Sequence, residues 1–161
     1  MAVDKYANAD LENGKLGAAA NVTGNKVVMS VVNLEVKADD GTDSVYRVFP
    51  DLNPCLIPVD IKILNTAIGS CKMDLGIYEG EKGGAINATA LATGLDVGTA
   101  HATDAALNGL KAVAVENIGK KLFELAGHTI ANRKDTYDLA LKATAATASG
   151  TITVIGTFVQ G

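Results

Sequence analysis

His101, with Thr99 and Asp104 nearby, is the first place in this 161-residue chain where residue types could do chemistry. A histidine backed by an aspartate can relay a proton or ligate a metal ion. Neither role has the rest of its equipment. No GxSxG supplies a nucleophile, and no HExxH or CxxC supplies further ligands at metal-binding spacing. His128 follows an apolar helical pattern, where it suits the negative end of a helix. Asp39-Asp40-Gly41-Thr42-Asp43 gathers three aspartates around a glycine. An EF-hand loop needs a longer spacing and a closing glutamate, so the segment reads as a hairpin turn. The phosphate-cradling pattern GxxxxGK[ST] does not occur. The expectation is therefore no catalytic, cofactor-binding or metal-ligating residues, no cofactor, and a protein that is not an enzyme.

The two cysteines, Cys55 and Cys71, could form one disulfide. If the segments around them pair as a hairpin, Cys71 lies near Leu64 and Cys55 beyond the open end, so two reduced, buried thiols are expected. Hydrophobic residues make up 48% of the chain and charged residues 20%, a globular composition of a size suited to one domain with an arm. Tryptophan is absent and aromatics reach only 4%, which argues against base-stacking surfaces and sugar platforms. The net charge is −4 and basic residues adjoin only in pairs, so a nucleic-acid groove is not expected. No apolar run approaches a membrane span, and the charged N-terminal residues do not resemble a signal peptide, so synthesis in the cytoplasm is expected.

The elements around these residues read as strands. The stretch from Pro58 to Tyr78 organises the chain: Val59, Ile61 and Ile63 alternate with polar residues, as do Met73, Leu75 and Ile77. With turn-forming residues from Asn65 to Ser70 between them, the two runs read as an antiparallel hairpin with one dry face. Lys26 to Lys37 is a strand in which Val32, Leu34 and Val36 share a face. Its start, Val27, Val28, Met29 and Val31, is apolar on both faces and is expected to be covered. Ser44 to Phe49 is a second strand, ended by Pro50 and Pro54. The Ala-, Thr- and Gly-rich stretch from Ala85 to Gly109 reads as a surface excursion holding at most a short strand or helical turn. Val115 to Gly127 is the helix candidate, with Ile118, Leu122 and Leu125 at helical spacing. Thr136 to Ala143 and Thr151 to Val159 close the chain as strands. Residues 1–25 lack a sustained apolar period. They read either as a frayed terminus or as an arm that orders on a neighbouring subunit, ahead of a β-sandwich domain over 26–161.

Two segments carry a family resemblance. GKKLFELAGHT at Gly119 to Thr129 with TYDLALKATAATASGTITVIGTFV at Thr136 to Val159, and VDIKILNTAIGSCKMDLGIYE at Val59 to Glu79, resemble virion structural proteins of tailed bacteriophages. The resemblance implies a capsid decoration or cement protein that stabilises the head, with the major capsid protein and copies of itself (a dimer or trimer) as partners. It implies a place on the capsid exterior after synthesis in the host cytoplasm, and no nucleic-acid or membrane partner. The fold expected is mainly β: a jelly-roll-like sandwich of about eight antiparallel strands with one short helix and an extended N-terminal arm. Two other roles compete, a tail, collar or head-fibre base component and a carbohydrate-binding module for the host surface.

Overall fold

The computed structural model describes residues 2–6, 27–145 and 147–160. Nine strands form: β1 (Asp4–Tyr6), β2 (Val27–Val36), β3 (Val45–Leu52), β4 (Leu56–Asn65), β5 (Lys72–Glu79), β6 (Ala85–Asp96), β7 (Leu107–Asn108), β8 (Tyr137–Ala143) and β9 (Gly150–Gln160). They make two sheets, ordered β1-β3-β8-β5-β6 and β2-β9-β4-β7. Every pairing is antiparallel except that of β1 with β3. From β2 onward, successive strands alternate between the sheets, and only β5 and β6 are neighbours in both chain and sheet. That winding is a jelly roll, so the expected mainly-β sandwich of about eight strands is what the chain forms.

The final strand shows how sequence dictates this architecture. In β9, Ile152, Val154, Gly156 and Phe158 are buried, while the residues between them reach the other face. Phe158 meets Phe49 of the opposite sheet edge-to-face, with centroids 5.4 Å apart. Gly156 is what admits this pair. A Cβ there would lie 2.7 Å from the Phe49 ring and 2.8 Å from the Phe158 ring. Leu34, Ile61, Ile63, Met73, Leu75, Leu139 and Leu141 complete one continuous core.

Four local expectations are corrected. The runs within Pro58 to Tyr78 are both strands, but β4 and β5 lie in opposite sheets, so Asn65 to Ser70 carries the chain across the sandwich rather than around a hairpin. Both runs can present a dry face to the same core only by facing each other. Cys71 consequently does not lie beside Leu64. Its Sγ sits 3.9 Å from the Ala145 carbonyl oxygen. The aspartate-rich segment Asp39 to Asp43 likewise joins strands of different sheets, β2 and β3. Ala85 to Gly109 is not a loose excursion, because its first half is the twelve-residue β6, paired along β5. The helix predicted from Val115 to Gly127 shrinks to a 3-10 turn at Val115–Asn117 and α1 (Leu122–Leu125). Gly119, at φ +85°, takes a left-handed conformation that a continuous helix does not allow. The α1 turn docks on the β3–β4 connection, where the Phe123 N–H donates to the Pro54 carbonyl.

Proline is also accommodated differently. Pro50 lies inside β3, within the register shift between Phe49 and Leu52, and Pro58 lies inside β4 at another shift. Bulges are where a strand tolerates a missing N–H. The second bulge turns Val59 outward, against the alternation expected of Val59, Ile61 and Ile63: Val59 is 52% exposed while both isoleucines are fully buried. At the N-terminus, Asp4–Tyr6 add to the edge of β3. Residues 7–26, most of the expected arm, lie outside the described residues.

Candidate interaction surface

The side chains that invited chemical readings turn out to hold loops. His101 places Nδ1 3.1 Å from the Ala105 carbonyl and Nε2 3.0 Å from the Asp96 carbonyl, and its backbone bridges to Asn65. The ring N–H donating to one of these carbonyls pins the segment after β6. His128 Nδ1 lies 2.7 Å from the Tyr137 hydroxyl, which accepts from the Lys134 N–H at 3.0 Å. The hydroxyl proton is then free to go to the imidazole. In the aspartate cluster, the Asp40 carboxylate accepts from the Tyr46 hydroxyl at 2.7 Å and from the Lys37 N–H at 3.1 Å, and Asp43 pairs with Lys142. Among the described residues, no three histidine, cysteine or acidic side chains are grouped to hold a metal ion. Cys55 and Cys71 are both free thiols, the first half-buried and the second buried.

The outer faces of the two sheets differ sharply. That of the β1-containing sheet is sealed around Arg47, a residue that no sequence motif marks. Its guanidinium donates to both oxygens of Asp4 (2.8 and 2.9 Å), to Asp138 (2.6 Å), and to the carbonyls of Glu79 and Gly83. Arg47 is 1% exposed and Asp138 fully buried. Burial works against the Arg47 charge, but the two carboxylates outweigh it and hold its proton more tightly than usual. Burial pushes the Asp138 carboxyl up, opposed by the Asp51 N–H and Arg47. Beside this cluster, β6 crosses over β5. An added Cβ at Gly76 would fall 2.2 Å from the Ala88 backbone, so only glycine lets the strands close.

Among the described residues, nothing covers the outer face of the other sheet. Its rows follow from register: Val27, Val159 and Ile57 in one; Met29, Thr157 and Asp60 in the next; then Val31, Ile155 and Lys62. Val27, Met29 and Val31 are 65%, 68% and 55% exposed. The cover expected over the start of β2 is not supplied by the described residues of the same chain. The only described ion pair on this face joins Lys62 to Asp60 at 3.7 Å. Beyond β4 the face runs into a groove of about 370 Å³ lined by Val59, Leu110, Val113, Ile118 and Leu125, with Asp60, Lys111 and Lys120 at its walls. Exposed apolar side chains gathered this way mark an interaction site rather than ordinary surface. Alternation alone could not have disclosed it, because a strand apolar on both sides reads equally well as one buried on both.

Comparison with known proteins gives a fold. The chain is similar to a chain of the structure described as the Cyanophage Pam1 capsid asymmetric unit, at 14% identity and a TM-score of 0.55, over 86% of this chain and 87% of that one. It is also similar to a chain of the capsid of Ralstonia phage GP4, at 16% identity and a TM-score of 0.62, over 87% and 88%. The shared feature is the fold. No family model matches the sequence, and no curated protein matches it.

Proposed function

We propose that this protein is a non-enzymatic structural component of a tailed-phage virion, a decoration or cement protein that docks on the major capsid protein at the capsid exterior. The observation that carries the reading is the asymmetry of the sandwich: one sheet sealed by a buried ion cluster, the other open with an uncharged apolar stripe. The likeness in fold to chains of two phage capsid structures supports the setting. Such a protein acts by multivalency. Each copy contributes a modest contact, and copies joined to one another bind the lattice far more tightly than one alone. The aromatic residues speak against a sugar-binding module. Tyr46, Tyr78, Tyr137, Phe49, Phe123 and Phe158 are all buried, leaving no flat ring among them to stack on a pyranose.

The test is sedimentation of the purified protein with capsids that lack it. Saturation at the stoichiometry of the capsid lattice, accompanied by greater resistance of the particles to heat, is the expected result. Binding at the stoichiometry of a single vertex would move the protein to the collar or tail, and no binding would remove the virion reading.

A further inference from the structure

The two sheets have four edges, and three of them are guarded. β1 offers three residues and β7 two. β6 is interrupted by register shifts along β5 and by Gly94 at φ +57°. Short, bulged edges resist pairing with other strands. The fourth edge, β2, has none of these protections. All ten of its residues are in unbroken register with β9, it contains no proline, and its one charged side chain, Glu35, stands near its far end. Among the described residues no strand lies on its other side. The exposed stripe of Val27, Met29 and Val31 runs along this same strand.

We infer that β2 is the self-association edge of the protein, pairing antiparallel with β2 of a second copy about a two-fold axis at Met29. The partner is identified by elimination among the edges: a long, flat, unguarded edge needs another of its kind, and the only one described is β2 itself. Charge points the same way. Each chain carries a net −4, and the copies meet where the surface is uncharged. The register follows from the side chains. With Met29 opposite Met29, the five residues Val27–Val31 of each copy pair, Val27 facing Val31 of the second copy on both sides of the axis, and the two Glu35 side chains stay far apart. Centring the pair on Val31 instead would set Val27 against Glu35. The result is one eight-stranded sheet whose joined outer faces present a doubled apolar surface. This supplies the copy-to-copy contact of the proposed virion role and rests on that reading only for its setting.

The experiment is sedimentation equilibrium of the isolated protein over a dilution series, with Met29→Glu as the variant. Met29 is 68% exposed, so the variant monomer should keep its melting temperature, while two carboxylates placed opposite each other should weaken the dimer by about tenfold or more. In a Cys55→Ser background, Met29→Cys should form a disulfide-linked dimer under mild oxidation, because directly opposed Cβ atoms stand about 4.5–5.5 Å apart. Val59→Cys, exposed on the same face but away from the edge, should not. A wild-type protein that sediments as a monomer throughout, a dimer indifferent to Met29→Glu, or equal cross-linking at both positions would overturn the inference. Because the readout is mass in solution, a monomer that still coats capsids overturns only the pairing, and a dimer that ignores capsids overturns only the virion role.

Discussion

Arg47 is the side chain whose loss should be felt most. It neutralises the fully buried Asp138 and ties β1 to β3 through Asp4. Arg47→Ala leaves a carboxylate buried without its cation, and such changes cost about 3–5 kcal/mol. Replacing both Arg47 and Asp138 with apolar residues of similar volume should recover much of that loss, since the desolvation cost of the two charges disappears with them. Urea denaturation of the single and double variants checks both statements, and a double variant no better than Arg47→Ala would show that the hydrogen bonds to Glu79, Gly83 and Asp51 dominate. The cysteines give a second prediction at this scale. Burial pushes the Cys71 thiol up, which keeps it in the unreactive protonated form, whereas Cys55 is half-buried beside Arg133 at 3.4 Å. A thiol reagent should find one group in the native protein and two after unfolding without reductant.

At the scale of elements, the crossing of β6 over β5 depends on the absence of one side chain. Gly76 faces the Ala88 backbone, and backbone yields less readily than a side-chain tip. Gly76→Ala should cost about 1–3 kcal/mol, the usual range for overpacking, and Gly76→Val more. Gly84 has open space at its Cβ position, so Gly84→Ala serves as the control and should leave the thermal midpoint nearly unchanged. If both variants melt alike, β6 can retreat from β5 and the close crossing is not what fixes its place.

For the whole molecule, the tyrosines set the alkaline limit. Tyr46, Tyr78 and Tyr137 all have phenols pushed above their ordinary 10.0, in each case chiefly by burial and for Tyr46 also by its bond to Asp40. Below that value folded and unfolded chains are equally protonated and this contribution to stability is fully present. Above it the unfolded chain releases phenolic protons that the folded chain retains, so stability falls as pH rises. Denaturant midpoints should drop on crossing pH 10.0, and in a Tyr6→Phe background the phenolate absorbance of the other three tyrosines should appear together with unfolding rather than ahead of it. Phenolate from Tyr46, Tyr78 or Tyr137 appearing in a folded Tyr6→Phe protein would show that the core admits water.

What the sequence determined by itself was the kind of molecule: period-two runs at β2, β4, β5, β8 and β9 pointed to a β-sandwich, and a β-sandwich is what forms. Local pattern fixes which face of a strand is dry, because alternation is a property of neighbouring residues. It does not fix which strand lies beside which. Asn65 to Ser70 and Asp39 to Asp43 contain the residues of a hairpin turn, yet both cross the sandwich, because a core is formed only when the dry faces of separate sheets meet. The length of β6 was hidden for a related reason: its alanines, threonines and glycines have little strand tendency, and pairing with β5 supplies what propensity does not. The open stripe at Val27, Met29 and Val31 was decided only by tertiary structure, since whether an apolar residue is covered depends on what the rest of the chain leaves in front of it.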